Sequence, residues 1–300
     1  MYGLYIHWPF CQSKCRYCDF ASYDKDFDKM GHLAQKMCEE LDFYLQSHKD
    51  ISFDTVYFGG GTPSIMPLPV LSSFIDKIKP YFVPETEVSI EINPASSSEL
   101  KLKEYKQLGI NRVSFGVQSF DDNVLKTLGR LHSSQQAIES YHLARDIFDN
   151  INIDLMFGTP NQDMEILNND LNTIIRLNPE HVSIYSLILE DGTPFWDSYN
   201  KKELVLPDDD IVADMYSLII DGLTDAGYVQ YEVSNFAKPG RECRHNYNCW
   251  HNREYIGIGV GAHSFFAGAR YSNPDAIADY LQSDNSLRGQ QMVILPMKVD

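Results

Sequence analysis

Basic side chains are scarce in this 300-residue chain. It has 25 Lys and Arg against 42 Asp and Glu, a formal net charge of −17. Nucleic-acid binding rests on cations that neutralise phosphates. With no basic cluster in the sequence, nucleic acid is excluded as the expected partner. Long apolar runs are also missing, and none approaches the ~20 residues that span a bilayer. The opening residues, Met1-Tyr-Gly-Leu-Tyr-Ile-His7, lack the charged leader and cleavage site of a secretory signal. Six cysteines, at 11, 15, 18, 38, 243 and 249, are too few for a disulfide framework. The expected setting is therefore the cytoplasm, with reduced thiols. Repeats, low-complexity stretches and flexible linkers are absent. What is present is an ordinary hydrophobic content of 43%, enough for one large α/β domain or two smaller ones.

Three of the cysteines lie within eight residues, Cys11-Gln-Ser-Lys-Cys15-Arg-Tyr17-Cys18. Thiolates spaced by three and then two residues can hold three corners of a 4Fe-4S cluster from one tight loop. Such a cluster keeps one iron without a protein ligand. An amino group and a carboxylate, as offered by the methionine end of S-adenosylmethionine (SAM), can chelate that iron. The competing reading is structural zinc, which takes four ligands, commonly as two separated pairs. No second pair follows at that spacing, and His7 and Cys38 stand at no familiar distance from the triplet.

Short apolar runs alternate with helix-period segments. The runs Leu4–Pro9, Thr55–Phe58, Glu87–Ile92, Arg112–Val117, Asn152–Phe157 and His181–Leu187 predict strands. Between them, Met30, Leu33, Met37, Leu41 and Leu45 recur at helical spacing, as do Val70, Leu71, Phe74, Ile75 and Ile78. Ser96 with Glu99, and Ser133 with Gln136, predict capping boxes. Gly109 and Gly129 fall where helices end. Six β-then-α units predict an α/β fold, a partial (β/α)6 TIM-like barrel with its site at strand C-terminal ends. A helix over Asp208–Ala226, with Ile211, Val212, Met215, Leu218, Ile219 and Leu223 on one face, and extra sheet in Tyr228–Phe236 and Tyr255–Phe266, predict an α+β extension. The expected division is a core over 1–200 and the extension over 201–300.

Polar groups recur at the predicted strand ends. Gly59-Gly60-Gly61-Thr62 closes the second strand, Glu91 the third and Gln118 the fourth; Arg130 follows, and Asp154 lies in the fifth. Each alone reads as a turn or a surface group. In this order they resemble the radical SAM superfamily, whose CxxxCxxC loop matches residues 11–18. They are most similar to its oxygen-independent coproporphyrinogen III oxidase-like family, through Tyr5-Ile-His7-Trp-Pro9-Phe10-Cys11, Gly59–Pro63, Ile90-Glu91, Gly116-Val-Gln118, Arg130 and Ile153-Asp154 through Gly158-Thr-Pro160. The resemblance implies a 4Fe-4S cluster on Cys11, Cys15 and Cys18. It also implies SAM against Tyr5, Tyr17, Gly60, Gly61, Thr62, Glu91, Gln118, Arg130 and Asp154.

The family divides into oxidases and haem carriers. The coproporphyrinogen dehydrogenases carry a fourth cysteine where this chain has Phe20, and an extension before the first strand. Both departures point to the HemW branch, which resembles a haem chaperone and has a Cys-Arg-His-Asn-x-x-Tyr-Trp segment associated with haem. Here that segment reads Cys243-Arg-His245-Asn-Tyr-Asn-Cys249-Trp250, with Cys249 in place of the tyrosine. The resemblance therefore implies haem as a third bound group, with His245 and Cys249 as its contacts. His245 also reads as a hydrogen-bonded scaffold residue, His263 as structural and Cys38 as an inert buried thiol. The implied partners are haem and a recipient haem protein. A respiratory or membrane-associated recipient and a homodimer are both compatible with the resemblance. The branch usually continues into a further small C-terminal domain, so the chain reads as truncated relative to the family. Enzymatic activity is left open at this point; if present, it is oxidoreduction of the coproporphyrinogen dehydrogenase type.

Overall fold

The computed structural model describes residues 1–48 and 50–284. Its strands in chain order are β1 (Tyr2–Trp8), β2 (Phe53–Gly60), β3 (Phe82–Ile92), β4 (Arg112–Gln118), β5 (Ile151–Phe157), β6 (His181–Ser186), β7 (Val229–Glu232), β8 (Asn235–Ala237), β9 (Tyr255–Ile258), β10 (His263–Phe266) and β11 (Ala269–Ser272). The six expected parallel strands are β1 to β6, with helices between them. The runs Tyr228–Phe236 and Tyr255–Phe266 each split at a turn into two strands. The expected α/β architecture with added C-terminal strands is thus what the chain forms.

The chain divides into two compact units. The first comprises residues 1–12, 20–90 and the segment from Arg244 onward. In it β1 pairs in parallel with β2 on one side and β9 on the other, β2 pairs in parallel with β3, and β10 runs antiparallel to β9 and β11. The helix Met30–Ser47 buries Leu33, Met37, Leu41 and Leu45, and the helix Leu68–Ile78 buries Leu71, Phe74, Ile75 and Ile78. Each such side chain contributes roughly 1.5–3 kcal/mol on burial. Glu40 is a fully buried carboxylate on the first of these helices. It accepts from Gly259 N at 3.1 Å, from Asn273 Nδ2 at 2.9 Å and from the Tyr280 hydroxyl. Those bonds offset the cost of burying its charge and fix the chain beyond β9 onto the helix.

The second unit comprises residues 13–19 and 91–243. Here β4, β5 and β6 are parallel neighbours, and β8 and β7 extend them antiparallel. Ser133 and Gln136 form the expected capping box, and Gly109 and Gly129 end their helices with φ of 100° and 80°. The other predicted box is corrected. The cap of the helix Glu99–Leu108 is Ser98, while Ser96 belongs to a 3-10 turn set by Asn93 and Pro94. The helix Asp209–Asp225 buries Met215, Ile219 and Leu223, while Ile211 at its start is exposed.

Buried histidines make the fold acid-sensitive. Burial lowers His7 to about 4. Burial, then the Arg130 guanidinium, lowers His132 to about 4. Burial also places His181 well below its usual range. These rings stay neutral in the fold but protonate in the unfolded chain once pH falls below ~6.5. Stability is therefore flat above that pH and declines as pH drops toward 4. Asp170 opposes this: burial raises it to about 6, so the native state takes up its proton first. At pH 5 His7 and His132 each cost about 2 kcal/mol and Asp170 returns about 1.4 kcal/mol. Urea unfolding at pH 5 is expected to give a stability more than ~3 kcal/mol below that at pH 7, since His181 adds to the cost of His7 and His132, with a smaller gap in the His7→Gln, His132→Gln double variant. Equal stabilities at the two pH values would contradict this.

Candidate functional site

In the first unit the site begins where β1 runs into the cysteine segment. Register sets His7 beside Gly59 and Trp8 beside Gly60. Gly60 has φ +109°, and a Cβ there would stand 2.8 Å from the His7 ring. A Cβ on Gly61 would stand 2.9 Å from the Phe10 carbonyl oxygen and 3.0 Å from Cys11 Sγ. The glycines are thus demanded by close packing on residues 7–11 as well as by any ligand. Gly61 N donates to Trp8 O at 2.8 Å, and Cys11 N to Tyr23 O at 2.9 Å. Cys11 is buried, and its Sγ accepts from the Thr62 hydroxyl at 3.3 Å. Tyr5 bonds His7 Nδ1 at 3.1 Å, while His7 Nε2 donates to Ala21 O at 3.0 Å. Phe20 is exposed.

In the second unit Cys15 and Cys18 form a turn, Cys18 N donating to Cys15 O at 3.3 Å. The turn is pinned by Arg16, whose N donates to Leu128 O and whose O accepts from Phe195 N. Tyr17 packs on the buried cluster Val124, Leu128 and Phe195. Burial holds its hydroxyl protonated, against the pull of Arg130. Arg130 Nη1 donates to Cys15 Sγ at 3.2 Å, and its Nη2 to Gly116 O. A guanidinium here offsets negative charge on the sulfur. A Cβ on Gly116 would stand 3.2 Å from Gln118 Nε2 and 3.4 Å from Arg130 Nη2. Gly116 is also the register partner of Asp154. Gln118 and Arg130, separated in sequence, thus approach one glycine, with Asp154 on the neighbouring strand.

Asp154 ends a directional chain of hydrogen bonds. Cys243 N donates to the Tyr231 hydroxyl at 3.2 Å, and that hydroxyl lies 2.6 Å from His181 Nε2. His181 Nδ1 lies 2.6 Å from Asn152 Oδ1, and Asn152 Nδ2 donates to Asp154 at 2.7 Å. Ser114 supplies a second donor to the carboxylate at 3.0 Å. Burial raises the Asp154 carboxyl, and these donors oppose the shift. Tyr185 at the end of β6 is an addition that strand prediction alone did not single out. Although Tyr185 is 41% exposed, desolvation where its hydroxyl lies, then the charge of Asp154, raise it, with Glu91 contributing less. A cavity of about 380 Å³ lies at the ends of β5 and β6, lined by Phe157, Tyr216, Asp209 and Ser186. It contains none of the predicted site residues.

Within the first unit, His245 is buried. Its Nδ1 lies 3.0 Å from the Thr55 hydroxyl, and its ring lies 5.3 Å from Tyr57 and 6.4 Å from Tyr5. Cys249 is half-buried on the same helix, Arg244–Trp250. His263 is exposed, and Cys38 is half-buried with burial raising its thiol. All six cysteines are free thiols. Among the described residues no three His, Cys, Asp or Glu side chains are grouped as ligands of a single metal ion, and no helix is long and apolar enough to cross a membrane.

Gln118 has φ +74°, the left-handed region that non-glycine residues avoid. It follows a register shift against β5. Holding it there costs on the order of 1 kcal/mol. Gln118→Gly is expected to be about 1 kcal/mol more stable than Gln118→Ala in denaturant unfolding, since both lose the amide and only glycine relieves the backbone. Equal stabilities would mean the turn is not strained.

The radical SAM superfamily profile matches residues 5–174. The Heme chaperone HemW of Bacillus subtilis is 38% identical over 285 residues, spanning 94% of this chain and 75% of that protein. Its namesake from Escherichia coli is 39% identical over 265 residues, spanning 87% and 69%. Among solved structures, coproporphyrinogen III oxidase (HemN) from Escherichia coli, described as a radical SAM enzyme, superposes with a TM-score of 0.79 over 96% of this chain and 69% of that one. At 23% identity that likeness concerns the fold, here the partial barrel with added C-terminal strands. The chain belongs to the radical SAM superfamily and, within it, to the HemW family.

Proposed function

We propose that this chain carries haem to a recipient haem protein, and that a 4Fe-4S cluster and SAM form part of the carrier. The observation that carries this reading is the 38% identity to the haem chaperone HemW over 94% of the chain. Cys11, Cys15 and Cys18 would hold the cluster. The donor set suits it. The three thiols are unoxidised, Thr62 donates to Cys11 and the Arg130 guanidinium to Cys15. Thiolates on a cluster bind separate irons, so they need not converge on one point. The bound cluster would supply an iron open to the amino and carboxylate groups of SAM.

The protein's own groups would do the holding. The turn Gly60–Thr62 brings backbone N–H and C=O groups to a cationic amine. Gln118 and Arg130 offer donors to a carboxylate and to ribose oxygens, and Asp154 accepts from hydroxyls. Tyr5, Tyr17 and Glu91 complete the set. Haem is cargo in this reading, with His245 and Cys249 in the segment that holds it. Phe20 has neither acid–base nor redox chemistry, in keeping with a carrier that leaves its cargo unchanged.

The test uses anaerobically reconstituted full chain. Cys11→Ala, Cys15→Ala or Cys18→Ala should abolish iron and sulfide loading, and Cys38→Ala should not. Asp154→Ala should keep the cluster and weaken SAM binding by roughly 1.5–3 kcal/mol. Haemin should give a shifted Soret band, while coproporphyrinogen III incubated with SAM and reductant should persist. Decarboxylation that depends on SAM and reductant would overturn the carrier reading in favour of an oxidase.

A further inference from the structure

Two histidines flank the helix Arg244–Trp250, and they differ in every property that matters to a metal. His245, at its start, is 4% exposed. Its backbone N donates to the buried Glu87 at 3.1 Å, as does Arg244 N at 3.2 Å. Its ring is walled by Thr55, Tyr57 and Tyr5. On another side Gly3 is so near that a Cβ there would stand 3.3 Å from its Cε1. These neighbours enclose the imidazole against the β1–β2 face. His245 is an anchor for the helix.

His251, one residue past the helix, is exposed. Its ring stacks on Tyr247, centroids 4.0 Å apart and planes at 26°. Its Nδ1 lies 2.9 Å from the Tyr247 carbonyl oxygen. A carbonyl only accepts, so Nδ1 carries the proton and Nε2 keeps the lone pair. That division of roles, one nitrogen bonded to a backbone carbonyl and the other left as a donor to a metal, is how histidine ligands are oriented. The mount is fixed as well. His251 N, Asn252 N and Arg253 N donate to Tyr247 O, Cys249 O and Asn248 O at 3.0–3.1 Å, and Asn252 takes φ +53°. Tyr247 and Trp250 are each 44% exposed. Tyr247, four residues before His251, lies on the same side of the helix as the His251 ring. Exposed rings of this size offer an apolar face to a flat, apolar ligand.

We propose that His251 is the axial ligand this chain gives to haem iron, through Nε2, with Tyr247 bracing the imidazole. The inference rests on the haem-carrier reading above, and it assigns the iron to a residue outside the segment that carries the family resemblance. His245 becomes a positioning residue that holds the helix in place.

The test is haemin titration of the full chain, read by Soret position and by electron paramagnetic resonance of the ferric complex. Wild type should show a nitrogen-ligated complex. His251→Ala should lose that spectrum and bind haemin at least ~10-fold more weakly, and added imidazole should restore the nitrogen-ligated signal. Tyr247→Phe should keep it, because the backbone carbonyl still orients the ring. His245→Gln should keep the spectrum and lower the thermal midpoint. A wild-type spectrum from His251→Ala would overturn the assignment and leave the carrier reading standing. So would loss of the spectrum in His245→Gln with the fold intact by circular dichroism. A wild-type chain that fails to bind haemin would overturn both.

Discussion

The first half of the site depends on one steric constraint, the close approach of the Gly59–Gly61 turn to the end of β1. Parallel pairing sets the two strand ends side by side. The cysteine segment then turns away over a surface that has no room for side chains. A Cβ at Gly61 would collide with the Phe10 carbonyl and crowd Cys11 Sγ, and one at Gly60 would strike the His7 ring. The same approach brings the Thr62 hydroxyl to Cys11. His7, held neutral by burial, clasps residue 21 on the far side of the segment. Sequence, packing and chemistry meet here: small residues let two backbones touch, and the touching backbones carry the sulfur.

The second unit solves a different problem, a half-buried carboxylate. Asp154 is tolerable because Asn152 and Ser114 donate to it. Asn152 is oriented in turn by His181, and His181 by Tyr231. Each group uses its donor in one direction and its acceptor in the other, so no member can flip without stranding a buried polar atom. The last donor is the backbone of Cys243, the residue before the helix that ends beside His251. A polar chain therefore runs within the second unit from Asp154 to the backbone of Cys243.

Much of the fold was legible because the signals were local. Runs of Val, Ile, Phe and Tyr mark the strands, and Ser133 and Gln136 mark a capping box that spacing alone identifies. Spacing failed at Ser96, where three serines compete and the preceding Asn93-Pro94 turn takes up the first. The cysteine loop and the strand-end polar residues could be read from order along the chain. The His181–Tyr231 relay could not, since its members are brought together only by strand pairing. His251 lies just beyond the recognised segment, which stops at Trp250, and its exposure and ring geometry are visible only in the structure.

The central claim is that haem is cargo here, bound and released unchanged. The most direct measurement mixes haemin-loaded, cluster-containing protein with a known apo-haemoprotein such as apomyoglobin, then follows the acceptor's spectrum and recovers the pigment. The account predicts one holo-acceptor formed for each haem lost, with the recovered haem intact. Haem that stays on the chain in the presence of excess acceptor, or that is recovered chemically altered, would contradict it.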